Sequence, residues 1–583
     1  MSIRACLLVL AAVALLCPSA LLAQWPDDPA ANLLVSGGSG EQVVPHTVAL
    51  GSDGGFAGFN YVGFYDSRSG NYDVALQLFT PEGHPVFAEG GMIVSAHAQN
   101  TWVMDWALAS DAMGNALVSF ADIRDGNSNI HIYKISPSGE FLWGPDGISL
   151  TSDSDFKGPP AVTVANDGDV VVAWYQSAAA ESIYLQRLSS TGDLRFVDGG
   201  VVATEAEDEF PAGNALVPTT GGDVILAYVP NYSFMANRQI KAQRFDTTGA
   251  PVWDDYVWVM DDQSIPMGRY FNLTADGADG ALLTWDVAVG MSFGSRVQRL
   301  NADGMEMMPH NGVYANAAGT TGQIEASSVI DPVTEVTTMV FAQMSPDQSE
   351  RGLFVQRFAA DGSRLLGDDG NELHPQDSTS EGRPQVVLTP AGVMGMYFVA
   401  DYYQYGSDQV KAFLLDDAGE FAWDVFAAST MSPKDDVVVS ASTGQIVGFW
   451  VDERNGNADL YGQNVNADGT LGEQIVAIDN GAEEISEIEL PGSFVAYANY
   501  PNPFNPSTTI QFDLPRETQV SLRIYDISGQ LVRELIDNNL PAAQHRVVWN
   551  GTDGNGRLQA SGVYYYRLVT EQRTATIKMT LVK

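Results

Sequence analysis

The sequence predicts an all-β chain: a ring of about eight four-stranded sheets, then a small antiparallel sandwich. Three observations predict it. A glycine turn recurs eight times at intervals of 50 to 58 residues. Alternating apolar and polar residues flank those turns. The chain carries 57 glycines and few long helical patterns, as turn-rich β proteins do.

Residues 1–23 read as a secretory signal. Arg4 supplies an early positive charge, Ala5 to Leu16 an apolar run, and "ALLA" the small residues of a cleavage site. The run is too short for a membrane span, and no later stretch is long enough either. Cys17 follows Leu16, whereas a lipoprotein signal wants a small residue there. Both cysteines, Cys6 and Cys17, lie inside the signal. The mature chain is therefore expected to have no disulfide, thiolate metal site or cysteine nucleophile.

The chain has 72 acids against 29 bases, a formal net charge of −43. Such a surface repels nucleic acid and anionic lipid. Hydrophobic content of 45% excludes a disordered acidic chain.

Residues 24–484 carry the repeat. The marker turn falls at Gly83, Gly139, Gly192, Gly249, Gly304, Gly362, Gly419 and Gly469. Four residues earlier an apolar residue always stands: Phe79, Ile135, Leu188, Phe245, Leu300, Phe358, Leu415 and Val465. Six residues earlier a glutamine stands in six repeats: Gln77, Gln186, Gln243, Gln298, Gln356 and Gln463. Four residues later an aromatic stands in five: Phe87, Trp143, Phe196, Trp253 and Trp423. Residues 161–196 show one repeat whole, a four-stranded meander with an Asn-Asp-Gly turn. Such meanders bury both faces only by stacking radially, which is a β-propeller. The glycine supplies positive φ, and the aromatic is expected to pack between neighbouring sheets. Eight repeats predict eight blades, or seven if a terminal repeat is degenerate. "NLLVS" at 32–36 resembles the last strand of each repeat and is expected to complete the final blade. A β-solenoid is the alternative, but its repeats are much shorter.

Residues 485–499 read as an acidic linker, and 500–583 change character. "YPNPFNP" is a stiff, extended lead-in. About seven short strands follow, a small Ig-like β-sandwich. The segments "YPNPFNPSTTIQF" (500–512), "LRIYDISGQLV" (522–532), "WNGTDGNG" (549–556), "SGVYYYRL" (561–568) and "KMTLVK" (578–583) carry a specific resemblance. This block resembles the type A C-terminal sorting domain of type IX secretion substrates. It is also similar to the Ig-like domain of flagellar hook-capping proteins. The matching positions include Tyr500, Pro501, Asn502, Pro503, Phe504, Asn505, Pro506, Gly529, Gly562, Tyr564, Lys578 and Lys583. The resemblance implies export through the type IX machinery. It also implies a secreted or outer-membrane surface location, with attachment to lipopolysaccharide or release. An ordinary retained Ig-like stalk is the other reading. The tail is an address and says nothing of what the body does.

The body is poor in catalytic signatures. His46, His84, His97, His131, His310, His374 and His545 stand singly, without metal-ligand spacing. "GMSFG" around Ser292 matches a nucleophile elbow but lacks the following helix, so it reads as chance. Acid pairs in turns (Asp167/Asp169, Asp276/Asp279, Asp368/Asp369) could ligate Ca²⁺, but Asp is also what such turns prefer. No cofactor is expected.

The sharpest feature is D-x-R-x-G-N, found at 66–71, 122–127 and 452–457. Each Asp stands 17 residues before its marker glycine, in the loop between the second and third strands. The three belong to repeats one, two and eight, neighbours in a closed ring. Asp66, Arg68, Asn71, Asp122, Arg124, Asn127, Asp452, Arg454 and Asn457 could form a glycan-docking patch, with Tyr65, Trp450 and Tyr461 nearby. The competing reading is a self-satisfied hairpin in which Asp caps the turn and Arg pairs with it. The sequence thus reads as an exported binding, adhesion or scaffold protein with an unknown glycan or protein ligand. A propeller glycoside hydrolase or lyase is the alternative, requiring a carboxylate pair in the central cleft.

Overall fold

The computed structural model describes residues 24–472 apart from 52–55, 98–104, 178–180, 205–210, 232–236, 318–321 and single positions 270, 291, 402 and 443. It further describes 495–496 and most of 508–581. The chain divides into two compact units, 1–475 and 476–583. The expected signal at 1–23 and most of the expected linker lie outside the described residues.

The first unit is a β-propeller. Its first blade is built from Gln42–Ala49, Asn60–Asp66, Asp73–Phe79 and Met92–Ser95, paired antiparallel in that order. The innermost strands of the next blades are Ala107–Ser110, Ala161–Val164, Ala212–Pro218, Phe271–Ala275, Gln323–Ile330, Thr379–Thr389 and Lys434–Ser442. That makes eight sheets among the described residues, each touching the next, and Lys434–Ser442 packs against Gln42–Ala49 to close the ring. Strand pairing closes the ring as well: Leu33–Ser36 pairs with Asp459–Asn466 as the outermost strand of the eighth blade. Both faces of every sheet meet a neighbour, so strands such as Asn60–Asp66 and Asp73–Phe79 are buried along their whole length.

The repeated positions each have a structural task. Gln77 donates from Nε2 to the Ala88 carbonyl at 2.9 Å, while its Oε1 accepts the amides of Leu78 and Phe87. Gln186, Gln243 and Gln356 make the same three bonds. This fixes the path from third to fourth strand. In the eighth blade Gln463 instead donates to Pro26, because the fourth strand comes from the N-terminus. The aromatic after one marker turn packs on the marker glycine of the next blade. A side chain at Gly304 would meet the Trp253 ring at 2.6 Å, and one at Gly192 would meet Trp143 at 3.1 Å. Trp25 takes this role at Gly83.

Among the described residues the second unit holds seven strands in two antiparallel sheets, Val495–Ala496, Thr508–Leu514 and Ala543–Trp549 in one and Thr518–Asp526, Leu531–Leu540, Gly562–Thr570 and Thr574–Leu581 in the other. Alternate residues Ile510, Phe512, Leu514, Val520, Leu522 and Ile524 form its core with Trp549 and Tyr566. The Tyr564 hydroxyl donates to the Ala560 carbonyl at 2.8 Å. Gly562 opens its strand and Lys578 lies in the last one, whereas Tyr500 to Pro506, Gly529 and Lys583 lie outside the described residues.

Candidate ligand-binding cleft

The three D-x-R-x-G-N loops adopt one geometry. Each Asp accepts the backbone amide of the Arg two residues on, at 3.0, 3.1 and 2.9 Å for Asp66, Asp122 and Asp452. Each then pairs with that Arg's guanidinium. The carboxylates are buried, so the charge pair is satisfied within the hairpin. Burial alone would push the Asp122 carboxyl up, but His131 and Arg124 outweigh it and hold its pKa down to about 2. Tyr65, Trp450 and Tyr461 are buried in the core rather than presented to solvent.

The loops are also linked along one rim. The Asn457 side chain donates to the Gly38 carbonyl, and Asn71 to that of His97. Arg124 donates to Asp146, whose carboxylate lies 3.8 Å from His97. Asn127 is exposed. The acid turns are likewise engaged: Asp167 and Asp169 with Arg187, Asp276 with Arg299. Among the described residues no group of three metal-ligating side chains gathers. Ser292 opens a strand, Ser292–Leu300.

A different site stands out in the channel. Among the described residues five innermost strands carry a β-bulge at the same place, two residues facing one aromatic of the second strand. The first bulged residue has positive φ: Val44, Gly213, Glu325, Arg383 and Asp436, in blades one, four, six, seven and eight. Such a backbone costs a non-glycine residue about 1–2 kcal/mol. Blade four meets it with glycine, whereas three consecutive blades meet it with charged residues.

These residues interlock. The Glu325 amide donates to Asp286 at 2.8 Å, and the Arg383 amide to Glu325 at 2.8 Å. Arg269 spans Asp286 at 3.0 Å and Glu325 at 3.3 Å. Arg351 approaches Glu325 at 3.7 Å, and the Arg383 guanidinium pairs with Asp435. Gly382 leaves room for this: a side chain there would stand 2.9 Å from the Glu325 carboxylate. Burial pushes the Asp286 carboxyl up, against the hydrogen bond from Ser295. Together Arg269, Asp286, Glu325, Arg383, Asp435 and Asp436 line a cleft of about 520 Å³ on blades five to eight. It lies toward the rim that carries the D-x-R-x-G-N loops, since each bulge sits near the start of its strand. No periodicity marks these residues: they lie in the polar first halves of strands such as Thr379–Thr389 and Lys434–Ser442, where a charge does not stand out.

Residues 504–574 match the FlgD Ig-like domain family. No curated protein matches the sequence. Among solved structures the chain is similar to PorZ, an essential bacterial surface component of the type IX secretion system of Porphyromonas gingivalis. The likeness spans 90% of this chain and 64% of that one, at 12% identity and a TM-score of 0.34. The Dos1 propeller is 13% identical over 76% of this chain and 96% of its own, with a TM-score of 0.46. The lectin BP39L from Burkholderia pseudomallei is 12% identical over 64% and 98%, with a TM-score of 0.40. At such scores none of the three speaks to what this chain binds.

Proposed function

We propose that this is an exported binding protein whose propeller takes a carbohydrate or protein ligand at the channel mouth on blades five to eight. The observation that carries the reading is Arg383, a charged side chain held at a φ that blade four meets with Gly213. A fold that needed only the bulge would do as well with glycine. Arg383→Gly is therefore expected to leave thermal stability equal or raise it by about 1 kcal/mol, since the strain is relieved. Binding, scored as depletion of the protein by a panel of polysaccharides and surface extracts, is expected to be lost. Unchanged depletion would overturn the reading.

A second reading, a polysaccharide hydrolase or lyase, is favoured by one observation. Arg269 joins a buried carboxyl, Asp286, to a second carboxylate, Glu325, within the cleft. Two carboxylates held in different environments are what glycosidic cleavage needs. New reducing ends in the same tubes would establish turnover and transfer the cleft to that class.

The tail is proposed as an address for the type IX machinery, with surface lipopolysaccharide as an attachment point. The supporting observations are the motif run at 500–583 and an Ig-like sandwich with its own core. Deleting 490–583 is expected to leave the protein inside the cell envelope. Normal secretion of the truncated chain would overturn the address.

A further inference from the structure

We infer that the ligand is a neutral oligosaccharide chain that runs from the channel mouth onto Tyr403 and Tyr405 of blade seven; the inference rests on the binding reading above. The first observation is the charge balance of the cleft. Arg269 is matched to Asp286 and Glu325, Arg351 to Glu325, and Arg383 to Asp435. Asp436 stands beside them. Four carboxylates against two guanidinium groups leave the cleft net acidic, which together with the overall charge of −43 repels an anion. A cation would compete with guanidinium groups already in place. What remains on offer is a set of carboxylate lone pairs and guanidinium N–H groups, which suit vicinal hydroxyls.

The second observation is continuity. A smaller cavity of about 170 Å³ shares Glu325 and Arg383 with the cleft and runs past Ser380, Phe398, Ala400 and Asp408. Asp408 ends the loop after the strand Gly392–Asp401.

The third is that loop itself. Asp66 and Asp73, Asp452 and Asp459, and Asp401 and Asp408 share one seven-residue frame. Asp401 caps its turn as the others do, accepting the amide two residues on at 2.9 Å. In the first and eighth blades that residue is Arg68 or Arg454, folded back on its Asp. In blade seven it is Tyr403, 76% exposed, followed by Tyr405 at 90%. The scaffold of the hairpin is kept while its self-pairing arginine is replaced by aromatic surface. An exposed tyrosine offers a flat apolar face with a polar tip, which fits the C–H face of a sugar ring beside its hydroxyls.

The test is isothermal titration of the full chain at neutral pH with neutral linear hexasaccharides of glucose, xylose and mannose, their disaccharides, and hexagalacturonate. At least one neutral hexasaccharide is expected to bind, and its disaccharide at least about tenfold more weakly. Tyr403→Ala/Tyr405→Ala is expected to weaken the hexasaccharide about tenfold or more, and both sites are exposed enough to spare the fold. Preference for hexagalacturonate, absence of binding to every neutral probe, or an unchanged affinity in the double variant would overturn the inference. If Arg383→Gly abolishes binding while the tyrosine variant does not, only the tyrosine extension falls. If Arg383→Gly leaves hexasaccharide binding intact, the cleft reading falls with it.

Discussion

Single residues in this propeller show how burial and partners set charge. Glu381 lies on the innermost strand of blade seven, two positions before Arg383. It is 3% exposed, and its Oε2 has no hydrogen-bond partner among the described residues. Burial, with Asp377 and Asp424 nearby, outweighs a backbone hydrogen bond and the Lys411 charge and pushes its pKa up to about 8. The folded chain therefore holds a proton that the unfolded chain releases near pH 4. Stability from this group is full below that pH and falls as pH rises toward 8. Glu381→Gln, which stays neutral, is expected to stabilise the protein by about 3 kcal/mol at pH 8 and to flatten the pH profile above pH 5. Denaturant unfolding at pH 5 and pH 8 checks this; an equal change at both would show that ionisation is not the cause.

At the scale of elements, the blade is held by its repeated glutamine as much as by its core. Gln186 is fully buried and ties the Arg187 and Phe196 amides and the Val197 carbonyl. Gln186→Leu would strand all three, an expected loss of about 2–4 kcal/mol. Gln186→Glu is expected to be worse, since it buries a charge. Thermal melts of the two variants give the order. These glutamines were legible in the sequence as a spacing, because a contact made within eleven residues repeats at a fixed interval. So was the D-x-R-x-G-N hairpin, whose Asp and Arg bond across two residues. Glu325, Arg383 and Asp436 were not, because their common position is set by bulges and by partners about 40 to 60 residues away in neighbouring blades.

The whole molecule depends on a ring closed by its own N-terminus. Trp25 is 2% exposed, donates from its indole to Pro81, and covers Gly83 of the first blade. Asn32 and Leu33–Ser36 complete the eighth. Trp25→Ala is expected to cost about 3–5 kcal/mol, as a buried tryptophan inside a blade would. Limited proteolysis should then release the eighth blade first; cleavage distributed evenly over the ring would argue against closure as the weak point.

By itself the sequence determined the all-β class, the period of the blades, the turn and pinning residues, and the change of domain before the tail. All of these are local: a glycine at positive φ, an alternation of two, a bond made within one meander. Only the tertiary structure decided that eight sheets close through Leu33–Ser36 and that charged residues gather on blades five to eight. The reason is geometric. A ring brings together inner-strand positions far apart in sequence, and no spacing along the chain records which of them will share the channel.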